Sequence, residues 1–468
     1  MKLSSFRVLG SVSSLAALVP YACSSSHGSA AAFKQPNILF VLADDMGYGD
    51  LGCFGNTIIQ TPAIDQLSSD GITFTNCYAG ASVSSPSRCT LLTGLHTGHS
   101  RIRGNMCRVG GMTGQRDGMG VVRRTNLMPS DSTIAHLLSN HGYVTCLVNK
   151  WHLDGFDSTA TPLDRGFDEF YGWLIREPLS HNYYPSKRWR NREEYSIEAN
   201  LNENHADHNT DRSTDEAIDF LRRQKENCFF LYLAYNAPHV PLDSKSRSVY
   251  QNAGLSAADQ SYAALITHMD ESIGRVLAEL KVLGIDDNTI VIFASDNGGA
   301  KAAKTEKLTP NGALRGWKGD LYEGGIRVPM IVRMPGGNHA GSQSDFPCYF
   351  PDIFSTIADL THCATALKTD GVSLLPEIIT PGSMPHDRRY LYWEQYPSKG
   401  ISQAVRWDDW KLIRQNIDKP FELYDLKSDI GEQVNVAAHN PEIVARLSDF
   451  FSEAHVESDN WPVNDVGK

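Results

Sequence analysis

The segment Asn37–Ala43 (N-I-L-F-V-L-A) is a short apolar run, rich in β-forming residues, that ends directly at Asp44-Asp45. Three further runs have the same form, at Tyr143–Val148, Phe229–Ala234 and Thr289–Ala294. Short continuous runs of this kind are typical of strands that are buried on both faces, and helical spacing appears between them. The pattern predicts an α/β fold with a large mixed, mostly parallel sheet that is flanked by helices.

The carboxyl-terminal part of the chain has a different pattern, in which turn residues separate shorter strand-like runs. The runs and a closing amphipathic segment are Arg389–Glu394, Gln403–Arg414, Phe421–Leu426 and Pro441–His455. They predict a small antiparallel sheet plus a helix. We therefore expect a main domain at residues 36–379 and a smaller subdomain at residues 380–468.

The first residues have the features of an export signal. Lys2 and Arg7 precede a short apolar stretch, Val8–Pro20, which is too short to span a bilayer. We interpret residues 1–23 as a signal peptide. No later segment is apolar enough over a sufficient length to predict a transmembrane helix.

Two interpretations of the processing site remain open. Cys23 follows the small residue Ala22, which is typical of a bacterial lipoprotein site and would place a lipid anchor on Cys23. The alternative is simple cleavage near Ala30–Ala32, within the Ser/Ala/Gly-rich tether at residues 24–35. Both predict an exported bacterial protein that is periplasmic or a lipoprotein of the outer membrane or cell surface.

Composition excludes some classes of function. The formal net charge of −11 argues against nucleic acid or an anionic membrane as the main partner. Charged residues make up 21% of the chain, as in an ordinary globular protein. Apart from Cys23, eight cysteines are scattered without a metal-binding spacing, and their disulfide pairing cannot be deduced.

Polar side chains follow each of the four apolar runs. Ligands of open α/β sheets bind beyond the carboxyl ends of the strands, so we expect these side chains to converge on one pocket. The oxygen donors Asp44, Asp45, Asp296 and Asn297 predict a hard cation, Ca²⁺ or Mg²⁺ rather than zinc. An opposing basic set could hold a tetrahedral anion, and it consists of Lys150, His152, His239 and Lys318. A cation and bases around one pocket predict a substrate with a negatively charged ester group.

The segment Ser84–Gly94 (S-S-P-S-R-C-T-L-L-T-G) supplies a candidate nucleophile. Ser85 is a suitable N-cap, with Pro86 at the first helical position and Gly94 at the end, so Ser84 should lie at a helix N-terminus. Free N–H groups and the helix dipole attract anions there. Arg88, one turn further on, could reach back to the same place.

This segment resembles the signature of the formylglycine-dependent sulfatases, C/S-x-P-S-R-x-x-x-L-T-G, at every fixed position. Other segments along most of the mature chain are also similar to family segments: Leu42–Gly47, Lys150–Leu153, Ser295–Gly298, Arg315–Pro329 and Glu422–Asp425. The resemblance implies an alkaline-phosphatase-like fold, with residues 36–379 as the catalytic domain. It also implies sulfate ester hydrolysis, most of all on a sulfated carbohydrate such as a glycosaminoglycan or mucin.

By the same resemblance, a maturation enzyme would oxidise Ser84 to formylglycine, which hydrates to a gem-diol; one hydroxyl attacks sulfur and the other allows sulfate to leave. One Ca²⁺ per chain would be bound by Asp44, Asp45, Ser84, Asp296 and Asn297. Arg88 and His152 would steady the formylglycine. Lys150, His239 and Lys318 would hold the sulfate, with His239 a candidate acid. These five basic residues and Ser84 would form the catalytic set.

Two departures from the family pattern concern the catalytic loop and the nucleophile. Asn149 and Asp154 replace the glycines that usually flank K-W-H-L, so the loop around Lys150 could have another shape. A serine precursor implies a radical-type bacterial maturation enzyme that works without oxygen. The alternatives are a phosphatase or phosphonate monoester hydrolase of the same superfamily, and a catalytically silent glycan-binding lipoprotein.

Overall fold

The computed structural model describes residues 35–116, 120–156, 159–175, 181–305, 307–337, 339–397 and 400–463. The signal peptide, the lipid-anchor site at Cys23 and nearly all of the tether lie outside these residues. The eight cysteines from Cys53 to Cys363 are free thiols. None of the helices in the described ranges is long and apolar enough to cross a membrane.

Alternating burial explains why the first apolar run forms a central strand. In this strand Ile38, Phe40 and Leu42 pack into the core on one face of the sheet, and Leu39 and Val41 pack into the core on the other. Successive side chains of a strand point to opposite faces, so a continuous apolar run requires cover on both sides. The helices supply that cover.

The strands in chain order are β1 (Asn37–Asp44), β2 (Ile72–Phe74), β3 (Cys77–Tyr78), β4 (Met112–Arg116), β5 (Gly120–Arg124), β6 (Val144–Lys150), β7 (Glu169–Trp173), β8 (Lys187–Arg190), β9 (Glu193–Ser196), β10 (Phe229–Pro238), β11 (Thr289–Ser295), β12 (Met330–Arg333), β13 (Ser342–Ser344), β14 (Cys348–Tyr349), β15 (Tyr390–Gln395), β16 (Ser402–Trp407), β17 (Trp410–Arg414) and β18 (Glu422–Asp425). The α-helices are α1 (Pro62–Ser69), α2 (Ser84–Thr93), α3 (Ile134–Ser139), α4 (Asn209–Gln224), α5 (Ala257–Val282), α6 (Glu323–Ile326), α7 (Pro351–Leu360), α8 (Leu375–Ile379) and α9 (Pro441–Ala454).

The main sheet has ten strands within the described residues, in the order β13-β2-β12-β11-β1-β10-β6-β7-β8-β9. Its centre, β11-β1-β10-β6-β7, is parallel, and antiparallel pairs occur toward both edges. The predicted large mixed, mostly parallel sheet with flanking helices is therefore confirmed. All four apolar runs that led to the prediction lie in the parallel centre.

The carboxyl-terminal sheet has the order β15-β16-β17-β18 and is antiparallel, as predicted. One correction concerns the segment Gln403–Arg414, which was predicted as a single strand. It forms β16 and β17, because the chain turns at Asp408, whose φ is 53°. One face of this sheet packs on α9 and the other on residues of the main fold that include Tyr78 and Leu321.

A buried ion cluster joins the carboxyl-terminal sheet to the main fold. Lys411 Nζ, from β17, lies 2.9 Å from Glu323 Oε1 and 2.9 Å from Glu432 Oε1, and all three side chains are fully buried. Glu323, the first residue of α6, also accepts a hydrogen bond from Tyr78. Removal of one partner from such a cluster typically costs about 3–5 kcal/mol, because a buried charge then lacks its partner.

Candidate active site

The four strand ends that the sequence singled out lie side by side. Strands β11, β1, β10 and β6 are neighbours and all parallel, so their carboxyl ends share one edge of the sheet. The side chains at that edge belong to Asp44, Asp45, Lys150, His239, Asp296 and Asn297. The structure thus brings together groups that are separated by up to about 250 residues of chain.

Three carboxylates form the acidic part of the site. The oxygens of Asp44, Asp45 and Asp296 all lie within 4.8 Å of one another, and the three residues are buried. The amide of Asn297 donates to Asp45 Oδ1 at 2.9 Å, which turns its own Oδ1 toward Ser84. A fully buried donor set that contains only oxygens fits a hard divalent cation such as Ca²⁺.

Glycine at position 298 allows the second acidic segment to lie this close to the main fold. A Cβ atom on Gly298 would lie 1.9 Å from the carbonyl oxygen of Gly324. No other residue type could occupy the position without displacement of the backbone that carries Asp296 and Asn297.

Each carboxylate is paired with a basic side chain. Lys150 Nζ lies 2.5 Å from Asp44, Lys318 Nζ lies 2.6 Å from Asp45, and Arg88 lies 2.8 Å from Asp296. Because the charges balance, a bound divalent cation would leave the pocket positive and favour an anionic ligand.

Burial and charge act in opposite directions on these groups. Burial lowers the pKa of Lys150 to about 8, although Asp44 opposes the shift. Burial also tends to raise the pKa of Asp44, but Lys150 and His239 outweigh it and hold the pKa below its usual value. For Lys318 burial lowers the pKa, and the neighbouring Asp45 and Asp44 more than offset that, so the pKa is raised.

Ser84 is the first residue of α2, and it faces this cluster. Its Oγ lies 3.3 Å from Asp44 Oδ1, 3.3 Å from Asn297 Oδ1 and 3.3 Å from Lys150 Nζ. The prediction that Ser85 caps the helix is wrong. Val83 occupies the N-cap position, and Ser85 instead donates to the backbone carbonyl of His152 at 2.5 Å. Gly94 ends the helix with φ 72°, as predicted.

His239 presents one defined nitrogen to the site. Its Nδ1 lies 2.5 Å from the carbonyl oxygen of Val240, which can only accept, so Nδ1 carries a proton. Its Nε2 is 3.6 Å from Asp45 Oδ2. Burial lowers the pKa of His239, and Lys318 adds to this shift while Asp45 opposes it.

The K-W-H-L loop has a left-handed backbone at two positions. Asn149 has φ 84° and His152 has φ 65°. Asparagine tolerates this region better than most residues, which explains how it replaces the glycine of the family pattern. The ring of His152 is buried in the wall of the site, 6.1 Å from the ring of Trp173.

Sequence reasoning missed His181 and Trp173. The imidazole of His181 stacks on His239 with centroids 4.0 Å apart and an angle of 13°, and a ligand atom of His181 lies within 4.8 Å of Asp44. Trp173 ends β7, the fifth parallel strand, and its ring packs 4.9 Å from His181. The sequence feature that could have revealed them is the end of this fifth strand, because His181 follows it eight residues later.

Lys318 reaches the site from a turn that is hydrogen-bonded to the two segments that carry Asn297 and Ser84. Its backbone N–H donates to Gly299 at 3.0 Å, and the N–H of Gly319 donates to Ser82 at 2.8 Å. Gly319 has φ 97°, a conformation that favours glycine and keeps the turn tight. This turn therefore fixes Lys318 between the acidic cluster and the start of α2.

Comparison with known proteins agrees with the architecture. The sulfatase family model matches residues 36–363, and the model for the carboxyl-terminal part of N-sulphoglucosamine sulphohydrolase matches residues 316–456. Human N-acetylgalactosamine-6-sulfatase is 33% identical over 84% of this chain and 76% of its own length. The N-acetylgalactosamine-6-O-sulfatase of Bacteroides thetaiotaomicron is 28% identical over 89% of this chain and 93% of its own length.

Solved structures give the same result. The structure of Ps i-CgsB in complex with k-i-k-neocarrahexaose superposes with a TM-score of 0.78 at 28% identity, over 92% of this chain and 96% of that one. The phosphonate monoester hydrolase of Agrobacterium radiobacter, at 20% identity and a TM-score of 0.64, shares the fold alone. The family model covers more than half of the chain and a relative exceeds 30% identity, so this chain belongs to the sulfatase family, within the alkaline-phosphatase-like superfamily, and is a sulfuric ester hydrolase.

Proposed function

We propose that this sulfatase hydrolyses sulfate monoesters of a glycan, with formylglycine derived from Ser84 as the nucleophile and one Ca²⁺ in the acidic cluster. The observation that carries the proposal is the position of Ser84 Oγ, at 3.3 Å from each of Asp44, Asn297 and Lys150. A side chain in that place touches both the candidate metal ligands and a candidate sulfate-binding base.

The residues that would hold the calcium ion are Asp44, Asp45, Asp296 and Asn297, with the group at position 84 as a further oxygen ligand. When bound, the ion supplies charge that polarises the sulfate group and favours the ionised nucleophile. Mg²⁺ is the less suitable ion, because it demands small octahedral cages and usually keeps several waters.

The formylglycine side chain, when present, supplies a hydrated aldehyde whose one hydroxyl attacks sulfur while the second allows the enzyme to release sulfate. An unmodified serine lacks that second hydroxyl. The serine at position 84 favours a bacterial maturation enzyme of the oxygen-independent radical type as a transient partner.

The basic residues of the chain have separate roles in this scheme. Lys150 and Lys318 hold sulfate oxygens, because their ammonium groups flank the acidic cluster from two sides. Arg88 holds Asp296 with two donors and so fixes the second acidic segment. His152 closes the wall near α2 through its backbone bond with Ser85. These bonds hold residues at the start of α2, on which position 84 lies.

His239 is the candidate acid for the leaving alcohol oxygen. Because Val240 holds the Nδ1 proton, the proton that the ring can exchange with substrate is at Nε2, which faces the site. The leaving group of a sugar sulfate is a poor one without a proton, so an acid at this position increases the rate.

A carbohydrate substrate is supported by the relatives. The human and Bacteroides proteins are named for N-acetylgalactosamine 6-sulfate, and Ps i-CgsB was solved with a carrageenan oligosaccharide. The export signal at residues 1–23, with Cys23 as an optional lipid anchor, is consistent with extracellular glycans. We also propose residues 36–379 and 380–468 as the domain boundaries.

Mass spectrometry of the peptide that contains Ser84, from protein made in its native host, tests the proposal. We expect the loss of two hydrogens relative to serine. The same preparation should release sulfate from sulfated glycans, and Ser84→Ala should release none while it keeps the wild-type melting temperature. An unmodified peptide in fully active protein, or an active Ser84→Ala variant, would refute the nucleophile assignment.

A further inference from the structure

The segment that leads into Lys318 is basic, although the protein is acidic. Residues 300–318 contain five basic residues and one acidic residue, whereas the whole chain has a formal charge of −11. The basic residues are Lys301, Lys304, Lys307, Arg315 and Lys318. A local charge of this sign beside the site requires an explanation.

Both ends of this segment are anchored at the active site. It begins after Gly299, two residues beyond Asn297, and it ends at Lys318, whose backbone N–H bonds to Gly299 at 3.0 Å. The segment is therefore a loop whose two ends lie next to the candidate sulfate pocket.

Three of the five basic residues have partners within the fold, one of which is the pair of Lys318 with Asp45 described above. Lys307 donates to the carbonyl of Gly254 at 2.5 Å. Arg315 donates to Tyr424 and to the backbone of Glu432. By contrast, Lys301 and Lys304 are exposed and form no ion pair with any residue that the structure describes. Their charges are available to a ligand.

Lys304 is placed over an aromatic ring that adjoins the pocket. Its Nζ lies 5.4 Å from the ring centre of Trp317, the residue directly before Lys318. The half-buried Trp317 is held in a tight turn, in which Asp320 accepts from its N–H at 2.9 Å and donates to its carbonyl at 2.8 Å. A fixed tryptophan with an adjacent ammonium group offers a face for a sugar ring and a charge for its substituent.

We propose that Trp317 and Lys304 form a subsite for a second, anionic sugar residue of the substrate, next to the residue that carries the scissile sulfate. Trp317 stacks on the pyranose ring, and Lys304 binds a sulfate ester or a uronate carboxylate. This inference depends on the proposed function. It makes the substrate a polyanionic chain rather than an isolated sulfated sugar.

The test compares each oligosaccharide with the sulfated monosaccharide at its terminus. In one probe, a chondroitin 6-sulfate hexasaccharide, the sugar next to each sulfated residue carries a uronate carboxylate. In the other, an iota-carrageenan hexasaccharide, the neighbouring sugar carries a sulfate ester. Formylglycine-containing enzyme is assayed for sulfate release. We expect Lys304→Gln and Trp317→Ala each to lower the oligosaccharide-to-monosaccharide ratio of kcat/KM about fivefold, which corresponds to about 1 kcal/mol. The probe that shows the loss identifies the anion.

Lys225→Gln is the matched control, because Lys225 is an exposed lysine at the end of α4. It should leave the ratio unchanged. Added salt should lower the ratio for wild type and have less effect on Lys304→Gln, since salt screens exposed charges. If wild type releases sulfate but the ratio is the same in all variants, the subsite is rejected and the proposed function stands. If wild type releases sulfate from none of the probes, the proposed function falls, and the subsite with it.

Discussion

At the scale of single residues, three carboxylates face three basic side chains: Asp44 with Lys150, Asp45 with Lys318 and Asp296 with Arg88. Five of the six residues come from positions that the sequence marked by their place after an apolar run or in the segment around Ser84, whereas Lys318 was marked by the resemblance of Arg315–Pro329 to a family segment. Their pairing could not be derived from the sequence, because it depends on which strands are neighbours. Substitution of one basic residue at a time therefore measures what each pair contributes to activity.

Substitution of Lys318 by alanine should reduce turnover. The change removes a charge-assisted contact with sulfate that is worth about 1.5–3 kcal/mol, so kcat/KM should fall by roughly ten- to hundredfold. Steady-state sulfate release measures the effect, and Lys281→Ala, on the exposed end of α5, serves as the control. A Lys318→Ala enzyme with unchanged kcat/KM would remove Lys318 from the sulfate-binding set.

The stacked pair of His181 and His239 leads to a second prediction. Loss of the stack in His181→Ala should lower kcat about three- to tenfold, the equivalent of the 0.5–1.5 kcal/mol typical of aromatic pairs. His181→Phe keeps a flat ring and should retain more activity than His181→Ala. If both variants raise KM and leave kcat unchanged, His181 contacts substrate rather than positioning His239.

At the scale of elements, the end of α2 depends on Gly94. This residue has φ 72°, and a Cβ atom there would lie 2.7 Å from Thr369 and 2.9 Å from Phe354. Gly284 has a similar φ of 68° but open space around it. The two positions therefore separate backbone strain from steric overlap.

Gly94→Ala should destabilise the protein more than Gly284→Ala does. Both changes carry the left-handed penalty of about 1–2 kcal/mol, and only Gly94→Ala adds a clash. Urea unfolding of the two variants gives the comparison. Equal losses of stability would show that the helix end moves freely enough to accommodate the added methyl group.

Asp50, in the loop that follows β1, is a buried acid that is hydrogen-bonded to α5 and has a pKa near neutrality. Asp50 accepts hydrogen bonds from Gly47 N–H at 2.8 Å and from Tyr262 at 2.6 Å, and burial raises its pKa to about 7. An unfolded aspartate titrates near pH 4. The neutral form therefore stabilises the fold fully below about pH 4, and this contribution is lost as the pH rises to about 7.

Asp50→Asn should remove this pH dependence. Between about pH 4 and pH 7 the unfolding free energy of the wild type should fall more steeply than that of the variant. The extra slope is at most about 1.4 kcal/mol per pH unit. Denaturant unfolding at several pH values measures the difference in unfolding free energy between the two proteins. Titrating groups that they share contribute equally to both and so cancel. Parallel stability profiles for the two proteins would mean that Asp50 is ionised in the folded state.

Elements also show where sequence reasoning reached its limit. The four strands with continuous apolar runs were found because both faces are buried. Strand β7, Glu169–Trp173, was missed because its E-F-Y-G-W mixes polar and aromatic residues, and with it the histidine that follows. Ser85 looked like a helix cap, but a cap is decided by backbone geometry, and its hydroxyl instead bonds across to His152. Local patterns do not contain such contacts.

At the scale of the whole molecule, the predicted main sheet with its helices and the predicted carboxyl-terminal sheet are both present. They could be predicted because the pattern of apolar residues shows which faces of the strands are buried. The contacts between them depend on a few buried polar residues, such as Lys411, that look ordinary in the sequence. The candidate metal site is likewise a property of the assembled molecule, because its proposed ligands come from three separate segments, around Asp44, Ser84 and Asp296.

Removal of divalent cations should weaken both activity and stability. At a calcium concentration about a hundredfold above Kd, the ion contributes about 2.7 kcal/mol to the folded state. Thermal melts with and without a chelator, followed by calcium addition, measure this contribution, and Asp296→Asn should abolish the calcium-dependent shift. Unchanged melting and activity after chelation, in protein without metal by elemental analysis, would contradict the calcium assignment.

The ion cluster around Lys411 can form only late in the synthesis of the chain. Glu323 is synthesised almost ninety residues before Lys411, and Glu432 follows later still. A ribosome therefore completes Ser84 and most of the pocket well before the cluster that holds α6 can form. Until then Glu323, which accepts a hydrogen bond from Tyr78 six residues before Ser84, lacks its partner Lys411. If the proposed maturation enzyme of Ser84 needs an incompletely folded chain, it would have this period in which to act.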